Sequence, residues 1–171
     1  MAFRPDLVEC WVFRVRDEVG LEILLIRRAA ERIFPGLWQC VTGGLAPDEP
    51  VPLAALREVV EETGFGPPDI LGFYDLDQVA AFYDEGVDAI VTSAIFAVRV
   101  RPDADPTPSA EHDAWRWVGP AEARRLAIWP SYGESIRRIE EQLLDPAVSP
   151  WFEVTLGGER RARRPLGPGH P

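Results

Sequence analysis

The chain has 171 residues, 46% of them hydrophobic, and it carries a formal net charge of −10 at pH 7. This length suits one domain with a sizeable core, and the negative charge argues against binding to a duplex or a long strand of nucleic acid. No apolar run reaches the roughly 18 residues of a membrane span, and the N-terminus lacks the pattern of a secretory signal. We therefore expect a cytoplasmic protein without a membrane partner.

The N-terminal part of the chain predicts three strands. Residues 6–16 and 21–26 are rich in branched and aromatic side chains, and the turn between them contains Gly20, so they predict a hairpin. Residues 37–42 predict a short buried strand that runs directly into Gly43. Cys10 and Cys40 lie in these apolar stretches without CxxC spacing, which favours buried free thiols over a disulfide or a metal site.

Further elements are predicted in the second half of the chain: strands over residues 70–79, 87–100 and 115–118, and helices over residues 120–127 and 131–144. The last helix is amphipathic, with inward-facing residues at Ile136, Ile139, Leu143 and Leu144. The predicted class is α/β (α+β), with a mixed sheet and helices packed on it, in a single domain over residues 1–156. Residues 157–171 lack apolar periodicity and predict a flexible tail rich in Arg, Pro and Gly.

Residues 53–63 predict a helix with an acidic face. At 100° per residue its three glutamates fall within roughly 100° of one another, and we expect an apolar stripe of Leu53, Leu56, Val59, Val60 and Thr63 to face the core instead. The glutamates are Glu58, Glu61 and Glu62. Prolines just before or in the first turn and Gly64 at the end mark the limits of this helix.

Like charges four residues apart destabilise a helix unless a cation offsets them. Arg57 can form an ion pair with Glu61, which leaves Glu58 and Glu62 free to present oxygen atoms to a divalent metal ion such as Mg²⁺. For an arbitrary acidic helix, a solvated charged face is the alternative interpretation.

The wider spacing favours the metal site. From Gly43 the chain has five residues, Glu49, seven residues, Arg57-Glu58-Val59, one residue, Glu61-Glu62, one residue, and Gly64-Phe65. Residues 43–65 resemble the Nudix box at every fixed position. The resemblance implies a mixed sheet sandwiched between helices, and a loop–helix–loop that holds Mg²⁺ or Mn²⁺ against the pyrophosphate of a nucleotide-like substrate for hydrolysis.

The resemblance also implies roles for individual residues. Glu58, Glu61 and Glu62 would hold the metal, with the backbone carbonyl near Thr42 or Gly43 joining them. Arg57 would fix the acidic cluster, Glu49 would tether the loop, and Gly43 and Gly64 would be structural positions of the box. In Nudix enzymes a glutamate outside the box often completes the metal sphere or serves as base, and Glu111 is the candidate here. Glu58 is the other candidate base, and a solvated loop acid is the alternative for Glu111. The adjacent His112 is predicted to be a surface or capping histidine.

Substrate-binding candidates lie outside the box. Arg27 and Arg28 end a predicted strand and could donate to phosphate oxygens, although exposed strand-end arginines are equally common. Tyr83 falls close to where dinucleoside polyphosphate hydrolases of the family carry a tyrosine.

Three stretches resemble the branch that acts on dihydroneopterin triphosphate and deoxynucleoside triphosphates: GLWQCVTGG, EHDAWRWVGPAEARRL and WPSYGESIRRI. The resemblance implies a Mg²⁺-dependent enzyme that releases pyrophosphate from a nucleoside triphosphate-like small molecule. The alternatives are a dinucleoside polyphosphate, ADP-ribose or nucleotide-sugar hydrolase, and a nucleotide sensor without catalysis. A proline that marks many ADP-ribose hydrolases is absent around Ala80. The oligomeric state stays open, a homodimer included.

Overall fold

The computed structural model describes residues 4–156, so the predicted tail over residues 157–171 lies outside the described residues. One sheet dominates this part of the chain. Its seven strands are β1 (Leu7–Arg16), β2 (Gly20–Arg28), β3 (Trp38–Gln39), β4 (Val41–Gly44), β5 (Ile70–Asp84), β6 (Ala89–Val100) and β7 (His112–Val118). The helices are α1 (Val51–Thr63), α2 (Pro120–Leu126) and α3 (Pro130–Arg138), and α3 continues into a π-helical turn over Ile139–Leu143. A single 3₁₀ turn spans Ser149–Trp151.

The sheet is mixed, as predicted. β1 forms the expected antiparallel hairpin with β2 and runs parallel to β6 on its other side. The two strands of the first hairpin diverge, and β3 and β4 fit between them, because β3 pairs with β2 while β4 pairs with β1. This divided pairing explains why the strand predicted over residues 37–42 is interrupted at Cys40. The predicted fold class, a mixed sheet between helices, is confirmed.

Each face of the sheet has its own apolar core. α1 covers a cluster that includes Val8, Val12, Val59 and Phe96, and α2 and α3 cover one that includes Trp11, Phe13, Ile95 and Ile136. Alternate residues of β1 and β6 point to opposite faces, so neighbouring side chains in one strand contribute to different cores. Cys10 and Cys40 are buried free thiols, as predicted.

The ends of α1 agree with the sequence, but the predicted apolar stripe is wrong in two positions. The helix starts after Pro50, contains Pro52 in its first turn, and ends at Gly64 with a left-handed φ of 75°. Leu53 and Val60 are 44% and 45% exposed. The buried residues are Ala54, Ala55, Glu58, Val59, Glu62 and Thr63. Small alanines allow α1 to approach the sheet closely, and this turns two of the three glutamates inward.

The C-terminal helix also differs from its prediction at one residue. Ile136, Ile139 and Leu143 are buried, as expected, but Leu144 is 40% exposed. The π-helical turn contains more residues per turn than an α-helix, so it shifts the phase of the residue that follows it.

Candidate functional site

Arg57 connects the loop after β4 to helix α1. Its guanidinium donates to Glu49 from Nε at 2.8 Å and from Nη2 at 3.0 Å, and to the Gly44 carbonyl from Nη2 at 2.9 Å. Nη1 donates to Glu58 at 2.6 Å and to Glu61 at 3.3 Å. The predicted pair with Glu61 exists, but it is the longest of these contacts. Because Nη1 of Arg57 also donates to Oε1 of Glu58, the prediction that Arg57 leaves Glu58 free is wrong.

Glu49 holds the loop in the way the box suggested. Besides accepting both bonds from Arg57, its Oε2 accepts the backbone N–H of Ala46 at 3.0 Å. The hydrogen bond from Arg57, followed by that from Ala46, lowers the pKa of Glu49 to about 2. The carboxylate is consequently ionised throughout the neutral pH range, and it fixes both the loop and the arginine.

Gly43 lies directly against Glu58. A Cβ atom at residue 43 would lie 1.9 Å from Cδ of Glu58, which is closer than real Cβ contacts. Only glycine leaves room for Glu58 over the end of β4, which gives a physical reason why the box has a glycine at this position.

Glu58 and Glu62 form a buried acidic pair. Burial raises the pKa of Glu58 although the hydrogen bond from Arg57 opposes the shift. Burial raises the pKa of Glu62 to about 8, and the nearby charge of Glu58 adds to the effect. Oε2 of Glu62 has no hydrogen-bond partner within residues 4–156. Glu61, by contrast, has a side chain that is 58% exposed.

His112 belongs to this site, so its predicted surface or capping role is wrong. It is the first residue of β7 and pairs with Arg28 of β2, which directs its imidazole inward. Its Nε2 lies 3.8 Å from Oε2 of Glu62, and its side chain is 2% exposed. Burial lowers the pKa of His112, so the neutral imidazole is favoured. The sequence signal that we missed is the alternation of residues 112–118, which extends the strand to His112.

Glu111 lies near the acidic pair but has a partner of its own. Its carboxylate forms an ion pair with Arg32 and is about half exposed. Its negative charge raises the pKa of both Glu58 and Glu62, which places it on their side of the site. Arg32, which the sequence analysis did not single out, thus borders the site through the loop before β3.

The structure separates the two candidate arginines. Arg27 pairs with Asp113 at 2.7 Å and points away from the acidic pair. Arg28 donates to the Ile33 carbonyl and, at 3.3 Å, to Gln39, and its positive charge lowers the pKa of Glu62. Neighbouring residues of a strand point to opposite faces, so only Arg28 reaches the site.

Tyr83 is not brought to the acidic pair. It lies near the tip of the β5–β6 hairpin, is 59% exposed, and donates its hydroxyl to Asp88 of the same hairpin at 2.7 Å. β1 and β6 separate β5 from β4, which corresponds to roughly 14 Å at the usual strand spacing.

The donor set fits a divalent cation. Within the described part of the chain, no three His, Cys, Asp or Glu side chains stand so that they could already share one ion. Three features nevertheless favour a hard cation with oxygen ligands. Oε2 of Glu62 is buried and has no partner in residues 4–156. The like charge of Glu58 lies beside it, and Glu58 itself packs against Gly43. A cation would offset the burial and the nearby negative charges that raise both pKa values.

Comparison with known proteins identifies the family. Residues 5–139 match the NUDIX domain. The chain belongs to the NUDIX family. The predicted enzyme class, a hydrolase acting on pyrophosphate bonds, is confirmed at this general level.

Solved structures of the family share the fold. A NUDIX hydrolase from Listeria monocytogenes has a TM-score of 0.68 at 23% identity, covering 82% of this chain and 95% of that one. The Ap4A hydrolase of C. elegans has a TM-score of 0.68 at 18% identity, covering 80% and 96%. The dihydroneopterin triphosphate pyrophosphohydrolase of E. coli has a TM-score of 0.65 at 21% identity, covering 79% and 94%.

One curated relative matches this chain over only part of the relative's own length. A Myxococcus xanthus protein named octanoyltransferase is 40% identical over 118 residues, which is 68% of this chain and 31% of that protein. This chain therefore spans about a third of the length of that relative. Among residues 4–156, no helix has both the length and the apolar character needed to span a membrane.

Proposed function

We propose that this chain is a Mg²⁺-dependent hydrolase that cleaves a phosphoanhydride bond of a nucleoside triphosphate-like substrate and releases pyrophosphate. The observation that carries the proposal is the buried pair of Glu58 and Glu62, both with raised pKa values and one with an oxygen that has no partner in residues 4–156. Two carboxylates buried this closely are unfavourable unless a cation neutralises them.

Glu58, Glu61 and Glu62, with the carbonyl of Gly43, would hold the metal. A bound Mg²⁺ would neutralise phosphate oxygens and lower the pKa of a coordinated water. Arg57 holds Glu58 in place and prevents it from turning away from β4. Arg28, at the edge of the acidic pair, would donate to phosphate oxygens of the substrate. These oxygens would replace Gln39 as the acceptor of its hydrogen bond.

Glu111 is our proposed general base. It is half exposed, it forms an ion pair with Arg32, and its charge acts on both buried glutamates. One oxygen of Glu58, the other candidate, is held by Arg57 at 2.6 Å. A carboxylate beside a metal-activated water can accept its proton without a strongly raised pKa.

The choice of a triphosphate rests on two points. Three stretches of the sequence resemble the branch acting on dihydroneopterin triphosphate, and the E. coli enzyme of that name has a similar fold. A dinucleoside polyphosphate is the second candidate, because the Ap4A hydrolase of C. elegans has a similar fold. Tyr83 is 59% exposed, and two strands separate its strand β5 from β4, which weighs against this second candidate.

The test is a substrate panel. Pyrophosphate and phosphate release would be measured with nucleoside triphosphates, dihydroneopterin triphosphate, diadenosine tetraphosphate and ADP-ribose, each with Mg²⁺ and with EDTA. Metal-dependent pyrophosphate release from a triphosphate is the expected result. Cleavage of diadenosine tetraphosphate or ADP-ribose alone would contradict the substrate, and tight binding of a nucleotide without any turnover would indicate a sensor.

A further inference from the structure

The β5–β6 hairpin extends past its neighbouring strand. β1 pairs with β6 only as far as Leu7, which lies opposite Ser93, and beyond this point residues 81–92 form a ribbon of two strands. The inner edge of the ribbon is closed at its base, because the backbone N–H and the hydroxyl of Thr92 both donate to the Asp6 carboxylate at 2.9 Å. A ribbon of two strands is only marginally stable in water by itself, so a further contact would stabilise this one.

The outer edge of β5 is covered along only one half of the strand. A segment near the C-terminal end of the described chain lies beside it and runs antiparallel to it. The Asp75 N–H donates to the Phe152 carbonyl at 2.9 Å. The Val154 N–H donates to the Phe73 carbonyl at 2.8 Å. From residue 78 to residue 84, no strand of the described chain pairs with this outer edge.

Helix α3 fixes β5 at the point where the open edge begins. The strand has a bulge just before Gln78. Nη1 of Arg138 donates to the carbonyls of Leu76 and Asp77 at 2.8 Å and 2.7 Å. Nε2 of Gln78 donates to the Ser131 carbonyl at 3.0 Å. The open stretch is therefore anchored to the body of the protein at its start.

The open edge lacks the features that protect exposed strands from other chains. Residues 79–83 read Val-Ala-Ala-Phe-Tyr and contain neither a charged residue nor a proline, and charges return only at Asp84 and at the exposed Glu85. Natural edge strands carry charges or prolines that prevent pairing with another chain. Four large side chains of the hairpin are between 44% and 64% exposed: Val79, Phe82, Tyr83 and Ile90. This edge is therefore suited to accept a further strand.

The C-terminal end of the described chain does not lead to this open edge. Between Phe152 and Val154 the chain passes along β5 from Asp75 towards Phe73, so it moves away from residues 79–83. A strand that completes the open edge is then expected to come from another molecule.

A second copy of the same edge is complementary to the first. When two β5 strands pair antiparallel around a two-fold axis at Ala81, Val79 lies opposite the partner's Tyr83, and Ala80 lies opposite the partner's Phe82. Pairs of aromatic and branched apolar side chains stabilise antiparallel strands. Asp84 lies opposite the partner's Gln78, so no like charges meet between residues 78 and 84. A two-fold axis also makes the interface self-complementary, as in most homodimers.

We propose that the chain forms a homodimer in which the β5 strands of two copies pair antiparallel around Ala81, which joins the two sheets into one. Strand pairing and the exposed side chains beside it would bury on the order of 1,000 Å² in total, near the lower limit for a specific interface. The dimer is therefore expected to be in reversible equilibrium with the monomer. The inference does not depend on the proposed function, because β6 and β1 separate β5 from β4 and the acidic pair.

The first test is sedimentation equilibrium of the wild-type protein over a range of concentrations up to about 500 μM, where a dimer with a micromolar dissociation constant is well populated. Each copy carries a net charge of −10, so salt should strengthen the dimer. We expect the dissociation constant to fall several-fold between about 50 mM and about 500 mM NaCl, because screening weakens the repulsion between the copies. A protein that stays monomeric at every concentration and at both salt concentrations would overturn the proposal.

Charges at the two-fold axis test the register. Ala81→Lys and Ala81→Glu should each give a monomer, because like charges then lie directly opposite each other. An equimolar mixture of the two variants should dimerise, because a lysine then faces a glutamate. Ala89→Lys, at an exposed position on β6 of the same hairpin, is the matched control and should not weaken the dimer. Dimers of both single variants, or a mixture that stays monomeric, would contradict the pairing around Ala81.

Ala81→Cys provides a further test if the charged variants do not fold. Directly opposite Cβ atoms of antiparallel strands are about 4.5–5.5 Å apart, and a small shift brings them within reach of a disulfide. Cys10 and Cys40 are buried, so mild oxidation should cross-link Ala81→Cys rapidly and leave the matched variant Ala89→Cys largely monomeric. Equal cross-linking of the two variants would overturn the proposal.

Discussion

Glu58 lies so close to Gly43 that a Cβ atom at residue 43 would be 1.9 Å from Cδ of Glu58. The contact joins the end of β4 to the buried face of α1, and it fixes the position of one carboxylate of the proposed metal site. It also gives a sharp test, because the next residue is another glycine in a different environment.

Gly43→Ala should displace Glu58 and disturb the acidic pair. We expect a loss of stability of about 1–3 kcal/mol from overpacking and at least a roughly 10-fold loss of hydrolysis from misplacement of the carboxylate. Gly44→Ala is the matched control, since a Cβ at residue 44 would meet no described atom within 4 Å. Urea unfolding and initial rates would be measured for both. Equal effects of the two substitutions would show that the contact with Glu58 has no special importance.

Arg57→Lys should separate the role of the guanidinium from that of the positive charge. Lysine cannot reproduce simultaneous contacts with Glu49, Glu58 and the Gly44 carbonyl, so we expect a loss of about 1–2 kcal/mol in stability and a clear fall in kcat. Arg125→Lys on α2, where the arginine side chain is 70% exposed, is the control. A fully active Arg57→Lys enzyme would show that charge alone suffices.

Glu9 should make the metal-free protein less stable as the pH rises. Burial raises its pKa in the folded protein to about 7, compared with an ordinary value of 4.5. Between these values the folded state binds more protons than the unfolded state, so the free energy of unfolding falls with increasing pH. The loss is complete above about pH 7 and amounts to at most about 3 kcal/mol.

Glu9→Gln removes this titration and leaves that of Glu62, which acts in the same direction. The variant should therefore gain stability relative to the wild type between pH 5 and pH 8 in urea unfolding with EDTA. If the two proteins lose stability in parallel over this range, the buried carboxyl of Glu9 does not titrate as its environment indicates.

Local signals in the sequence were sufficient for much of the fold. The limits of α1 follow from Pro50, Pro52 and Gly64, whose backbone preferences act within one turn. The first hairpin follows from the turn at Gly20, and the antiparallel pairing of β1 with β2 is as expected. The orientation of α1 was harder to predict, because alanines at positions 54 and 55 allow a close approach that the periodicity of large apolar residues does not reveal.

Long-range pairing determines the parts of the site that the sequence did not indicate. His112 comes to Glu62 only because β7 pairs with β2 through Arg28. The guanidinium of Arg57 lies closer to Glu49 than to Glu61 because the loop after β4 folds back onto α1. Outside the site, the sequence did contain one signal for the buried Glu9, which is a charged residue inside the apolar run of β1, but its neighbours Ser93 and Tyr132 are distant in the chain.

The most direct test of the central claim is the Mg²⁺ dependence of pyrophosphate release by wild type and Glu62→Gln, with Glu85→Gln as the control. Glu62→Gln keeps the shape of a buried side chain and removes its charge. We predict that it folds normally and is more stable than the wild type in EDTA, because the buried charge is gone. At saturating Mg²⁺ its rate should fall at least about 100-fold. A Glu62→Gln enzyme with near-normal activity and an unchanged Mg²⁺ requirement would contradict the assignment of the buried acidic pair as the metal site.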